Sequence, residues 1–375
     1  MNLSSMNYTK RKRHFTCKMN QFHHFLPTIF YTKNDFFHSI KMNQPNFTII
    51  HKNNNYTLLS SFLRENLILT ASSPSIPYTV NFNSSTPGPM TNDEFKNLFG
   101  QGTSNYSSLS IVKNKYDSTN LLSVTINSCQ IQSKSAISTF IKLNKGEKLV
   151  LTKQKMFLQY QFCFDENFFW GMGGKLPGIG ICEPPSGCTP QSESQGASIR
   201  LMWRGYDSTT QKYQSSSQTC NQDSNCSRGY LYAYIYHKLG KNTCGDYYNL
   251  SLNSPYGYPL EKGKWYFVTF FVNCGTQEKN GMFQIYLSDN EKKPGKLVAS
   301  CNEIPMIPAT QTKDILNWVF LFSVFRGGST MGWSSDQNSE IYFKFFKMVE
   351  KSEELDYPID FQTDLDQCSY NEDLG

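Results

Sequence analysis

Three stretches between Gly171 and Tyr236 bring together residue types that can act on an anionic ligand. Gly171-Met172-Gly173-Gly174-Lys175-Leu176-Pro177-Gly178-Ile179-Gly180 reads as a glycine-dense turn carrying one lysine. From Ala197 to Arg204 the residues alternate, with Ile199, Leu201 and Trp203 on one face and Ser198, Arg200 and Arg204 on the other. From Gly229 to Tyr236, four tyrosines (Tyr230, Tyr232, Tyr234, Tyr236) alternate with Leu231, Ala233 and Ile235. A period of two marks both as strands. If they are neighbours that turn their apolar residues inward, Ser, Arg and Tyr share an open outer face. A lysine-bearing loop alongside completes a cationic, phenol-rich groove, which suits an acidic sugar chain. Each piece alone has a plainer reading. A Tyr-x-Tyr stripe is usually cross-strand packing, a lysine in a glycine turn can simply be solvated, and an arginine can pair with an acid on the next strand.

The rest of the chain reads as the scaffold for that groove. Strand patterns recur at Leu121–Ile126, 136–143, Met156–Phe164, Trp265–Val272, Gly281–Leu287, Trp318–Phe325 and Ile341–Met348. In Met156–Phe164, Tyr160, Phe162 and Phe164 share a face. Many strands, few helix signals and Gly/Pro-rich turns predict an all-β fold, a jelly-roll β-sandwich. Residues 1–105 read as a low-complexity, partly disordered extension, with linker-like stretches at 73–77 and 84–89. The sandwich is expected over 106–350 and an acidic tail over 351–375. A chain beginning near residue 106 is therefore expected to fold by itself.

The 375 residues carry a formal net charge of +6, which favours anionic partners without calling for nucleic acid. There is no apolar run long enough for a transmembrane helix, and the stretch from Lys10 to Tyr31 is a poor signal peptide because His23, His24 and Pro27 interrupt its core. Of 11 cysteines, all but Cys17 lie from Cys129 onward. Their loop placement predicts mostly disulfides and an extracellular or secretory/vacuolar lumenal location, with Cys182–Cys188 and Cys220–Cys226 as local pairs. The sequons at Asn225 and Asn249 are compatible with secretion. Metal-type spacing with nearby histidines is lacking, so no metal and no cofactor is expected. A monomer is expected.

Five pieces in order resemble polysaccharide lyase family 14, the alginate and glucuronan lyases. They are Gly173-Gly174-Lys175-Leu176-Pro177-Gly178, Ala197 to Arg204, Tyr232-Ala233-Tyr234, Gly263-Lys264-Trp265, and Phe325-Arg326-Gly327-Gly328-Ser329 followed by Trp333 and Ile341-Tyr342-Phe343. The resemblance covers about 120 to 350 and implies a β-jelly roll. It also implies a catalytic groove built from Lys175, Ser198, Arg200, Tyr232 and Tyr234. The segment from Arg204 to Tyr232 is longer than the family's, Phe325-Arg326 replaces a double Phe, and Lys344 stands where an Asp is common.

The implied reaction is β-elimination on a uronate polymer: a proton leaves C5, alpha to the carboxylate, and the C4–O bond breaks. Lys175 or Arg200 would offset the carboxylate charge. Tyr232 or Tyr234 would take the C5 proton, its pKa lowered by the adjacent cations, and one of the pair would protonate the leaving oxygen. Ser198 would orient a carboxylate or hydroxyl. The alternative is a non-catalytic carbohydrate-binding or surface protein on the same fold, since fold does not fix function. Paired carboxylates for glycoside hydrolysis are not evident, as Asp165 and Glu166 are adjacent and point opposite ways.

Overall fold

A computed structural model of the chain describes residues 39–41, 48–50, 76–143, 154–188, 196–207, 212–213, 228–240, 242, 244–250, 257–275, 280–307 and 317–361. The chain divides into two compact units, 1–69 and 70–375. In the first, β1 (Ser39–Lys41) pairs antiparallel with β2 (Thr48–Ile50). The rest of the predicted extension up to residue 75 lies outside the described residues.

The second unit contains, in chain order, β3 (Tyr78–Asn81), β4 (Gly88–Pro89), helix α1 (Asn92–Phe99), β5 (Leu109–Lys113), β6 (Asn120–Ile126), β7 (Ile137–Leu143), β8 (Lys155–Phe164), β9 (Gly174–Ile181) and β10 (Ala197–Asp207). There follow β11 (Lys212–Tyr213), β12 (Arg228–Tyr236), β13 (Asp246–Asn249), β14 (Tyr258–Leu260), β15 (Trp265–Asn273), β16 (Gly281–Ser288), β17 (Lys296–Ile304), β18 (Trp318–Arg326) and β19 (Ser339–Val349). They form two antiparallel sheets, as the jelly-roll sandwich requires. The site sheet runs β13-β12-β10-β9-β18-β7, and the back sheet β17-β16-β15-β8-β19-β6-β5-β4. Between them lies a core of inward residues from alternating strands. Tyr160, Phe162 and Phe164 of β8 face Ile199, Leu201 and Trp203 of β10 and Leu231, Ala233 and Ile235 of β12 within one cluster. These are the faces that alternation marks as apolar.

The sandwich begins well before residue 106. β3 pairs with β19, burying Tyr78 and Val80. Helix α1 is started by Thr91, whose hydroxyl accepts from the Glu94 N–H while the Glu94 carboxylate accepts from the Thr91 N–H, a reciprocal cap. Gly100 ends it in the left-handed region, at φ 79°. One turn apart, Phe95 and Phe99 bury completely and stack on each other at 4.4 Å, with Phe99 on Phe322 at 5.0 Å. Each such ring is worth about 3–5 kcal/mol, so losing both rings and a strand rivals the whole stability of a typical domain. A chain starting at 106 is therefore expected to unfold at a much lower temperature than one starting at 70, or to lose its cooperative transition. Equal melting temperatures by circular dichroism would contradict this.

The start of the acidic tail is also packed. Gln159 on β8 accepts from the N–H groups of Asp356 and Tyr357 and donates to the Tyr357 carbonyl. Tyr357 rests on Phe267 at 4.7 Å.

Candidate active site

The glycine-dense stretch with Lys175 is not a turn but β9, a central strand of the site sheet. Its glycines serve close approach: a Cβ on Gly178 would lie 2.0 Å from the Ile199 carbonyl oxygen, and one on Gly174 would lie 2.2 Å from the Trp203 ring. The register slips here. Gly178 faces Arg200, yet Lys175 faces Met202, so three steps on β9 span two on β10. The bulge lets Leu176 and Ile179, an odd number apart, both enter the core. It sits at Pro177, which has no N–H to give the ladder and whose carbonyl accepts from Tyr160 of the back sheet at 2.9 Å. Lys175 is thereby aimed at the outer face.

On that face the five predicted residues come together. Across β10 and β12, Ser198 stands opposite Tyr236, Arg200 opposite Tyr234, and Met202 opposite Tyr232. Lys175 Nζ lies 2.9 Å from the centre of the Tyr234 ring and 2.8 Å from Met202 Sδ. Ser198 and Arg200 both donate to the Pro185 carbonyl, at 3.0 and 3.3 Å. Tyr234 and Tyr236 share a hydrogen bond of 3.1 Å.

Alternation predicts an open face, but these groups are buried: Lys175 is 6% exposed, Arg200 2%, Tyr232 0% and Tyr234 4%. Part of the cover is the short segment after β9, which supplies the Pro185 carbonyl and the Cys188 N–H to Tyr236 at 3.3 Å. Burial sets the electrostatics. It pushes the Lys175 amine well below the usual lysine range, and Arg200 and Arg204 push the same way. It pushes the Tyr234 phenol far up, reinforced by Tyr236 and Tyr247, and Arg200 only partly opposes this. The phenolate expected from neighbouring cations is thus not favoured at Tyr234, because desolvation outweighs the charges.

Three participants were not among the expected site residues. Met202 has the even spacing of Arg200 and Arg204, a signal that places it on this face. Tyr247 of β13 lies 5.0 Å from Tyr234, and Trp333 lies 4.9 Å from the Arg204 guanidinium; neither relation has a local sequence signal. Arg326, by contrast, is a framework residue. Its guanidinium donates to the carbonyls of Phe169 and Trp170 and to Ser339, fixing the approach to β9.

The local cysteine pairing is corrected. Cys188 is bonded to Cys244, not Cys182; Cys182, just past the end of β9, is buried in the core. Cys301 is also disulfide-bonded, whereas Cys129, Cys163 and Cys274 are not. Cys220, Cys226 and Cys368 lie outside the described residues. Burial pushes the Cys163 and Cys274 thiols up to about 12. A maleimide is expected to label exposed Cys129 in the folded protein and these two only after unfolding. Fast labelling of Cys163 or Cys274 at neutral pH would count against the packing. Among the described residues no helix is long and apolar enough to cross a membrane, and no cluster of metal-ligating side chains is found.

The family model for polysaccharide lyase 14 matches residues 114–346. The alginate lyase Aly36B is similar in structure, with a TM-score of 0.54 and 24% identity, covering 73% of this chain and 97% of that one. A variant of it in complex with alginate tetrasaccharide gives 0.55 and 22%, covering 74% and 98%. The marine PL-14 alginate lyase from Aplysia kurodai gives 0.52 and 19%, covering 73% and 98%. These likenesses establish the fold. No curated protein matches the chain by sequence.

Proposed function

The chain belongs to the polysaccharide lyase 14 family, and from that premise we propose that it cleaves a uronate polymer, alginate or glucuronan, by β-elimination. The observation that carries this reading is the meeting of Lys175, Arg200, Tyr232 and Tyr234 on one face of three adjacent strands, with the Lys175 amine against the Tyr234 ring. The solved relative with bound alginate tetrasaccharide supports the substrate class.

The surroundings suggest the division of labour. An amine pushed toward neutrality is a base, and a phenol pushed toward protonation is an acid. Lys175 takes the C5 proton. The C–H electron pair becomes the C4–C5 double bond as the C4–O bond breaks, and Tyr234 or Tyr232 gives a proton to the departing oxygen. Arg200 and Ser198 take the substrate carboxylate in the place now held by the Pro185 carbonyl, so that positive charge stands where negative charge develops. This requires the segment around Pro185 to shift when polymer binds. The Cys188–Cys244 disulfide supports an oxidising compartment, extracellular or lumenal.

The test is the ultraviolet absorbance of the unsaturated uronate end, followed with alginate and with glucuronan. Growth of that absorbance on either polymer is the expected result. Binding of polymer with no unsaturated ends would overturn the enzymatic reading in favour of a sugar-binding protein.

A further inference from the structure

One of the five family-like pieces, and the last part of another, have no part in the catalytic face. Gly263-Lys264-Trp265 and Ile341-Tyr342-Phe343 instead meet on the outer face of the back sheet. There Trp265, Cys163 and Tyr342 stand side by side in register on β15, β8 and β19. They line a cavity of about 190 Å³ whose other walls come from β5, β6 and the turn after β5.

Its make-up is amphipathic. Buried Leu121 and Cys163 supply an apolar floor. Trp265 supplies an aromatic wall, and Tyr116, 69% exposed, stands at the rim without a place in the core. The polar groups are held in fixed positions. The Tyr342 hydroxyl shares its one proton between Glu340 at 2.7 Å and Asp165 at 3.1 Å, and the Asn167 N–H holds the other Asp165 oxygen at 2.8 Å. Gly263, at φ 73°, keeps the turn close against Glu166, where a Cβ would lie 3.0 Å from Glu166 Cγ. An aromatic wall, an apolar floor and a few oriented acceptors are what a sugar ring needs, with its apolar C–H face and its rim of hydroxyl donors.

We propose that this cavity is a second saccharide-binding site, on the opposite side of the sandwich from the catalytic face, and that it takes one uncharged pyranose unit. The choice of an uncharged ring follows from the charges. Lys115 is paired with Glu166 at 2.5 Å. Lys344 faces Asp117 at 3.5 Å and lies over the Trp265 ring. Lys264 is held between Glu261 and Asp289. Apart from Lys113, whose amine bonds the Ser118 carbonyl at 3.4 Å, an incoming carboxylate would have to displace one of these acids and would meet the Asp165 and Glu166 carboxylates, whereas hydroxyls can donate to lone pairs that those two still offer. The volume is below that of sites for larger ligands, which suits one ring of a chain rather than several. The site does not depend on the lyase reading.

The test uses the full chain with cellotetraose and mannotetraose as uncharged probes and alginate tetrasaccharide as the charged one, read by saturation-transfer NMR and titration calorimetry. At least one uncharged probe is expected to bind with a dissociation constant on the order of millimolar. Tyr116→Ala removes an exposed ring, so folding is preserved, and it should weaken that binding about tenfold, in line with the loss of a stacking partner. Polyuronate turnover should be unchanged in Tyr116→Ala, and Lys175→Met should leave uncharged-probe binding intact. Absence of binding by either uncharged probe at roughly ten times that concentration would overturn the proposal. So would binding indifferent to both Tyr116→Ala and Trp265→Ala, or a charged probe that binds here in preference.

Discussion

Lys175→Met is expected to cut the rate of unsaturated-uronate formation by roughly a thousandfold, within the range of a lost general base, while raising the melting temperature. Methionine fills nearly the same volume against Met202 and the Tyr234 ring and removes the group that burial penalises. The sign of the stability change follows from linkage. The folded-state pKa of Lys175 is depressed, so the unfolded chain binds more protons than the folded one at neutral pH. Folding is penalised below the unfolded value of about 10.4, and the penalty fades as pH rises toward it. The advantage of the methionine variant should therefore be largest near neutrality and shrink in alkaline buffer. A methionine variant that keeps its activity would remove Lys175 from the chemistry. One that melts lower than wild type would show that the amine is satisfied in the folded protein.

Tyr232→Phe and Tyr234→Phe test the proton donor. Each keeps its ring and so its packing: Tyr234 still supports the Lys175 amine, and Tyr232 still faces Tyr247 at 6.5 Å. Only a hydroxyl is lost, and at Tyr234 this frees Tyr236, which retains the Cys188 N–H. At least one variant should lose on the order of 100-fold in turnover, with a smaller change in KM, because the lost proton transfer belongs to the transition state. Tyr230→Phe is the control, since Tyr230 lies on the same face but packs edge-on against Tyr206 at 5.3 Å, away from Lys175. If both central variants keep the full rate, the tyrosines are packing residues and the proposed acid is elsewhere.

Much of this arrangement was legible in the sequence, and the exceptions share physical causes. Strands β8, β10 and β12 announce themselves because their two faces differ in chemistry. The same contrast placed Arg200 and Tyr234 on one side, where they stand directly opposite each other. β9 did not, because glycine signals a turn and a tight sheet crossing equally well. Only the neighbouring Trp203 ring and Ile199 carbonyl decide between them, and they are distant in sequence. α1 carried a readable signal, Thr91-Asn92-Asp93-Glu94 ahead of Phe95, but it sat in a polar, linker-like context that hid two core aromatics. The closed state of the catalytic face had no local signature at all. Burial of a lysine and an arginine depends on which segments fold over them, and single-strand alternation does not report that.

The Cys188–Cys244 bond has a covalent consequence for the strands of the candidate active site. Its ends are 56 residues apart, and both β10 and β12 lie in the interval between them. That interval is a closed polypeptide ring. A protease that cuts it once opens the ring without detaching either strand, and two pieces separate on a denaturing gel only after reduction. Two cuts are needed to free any part of it. A single cut between Arg204 and Tyr232 thus leaves the arginine and tyrosine strands on one covalently joined molecule.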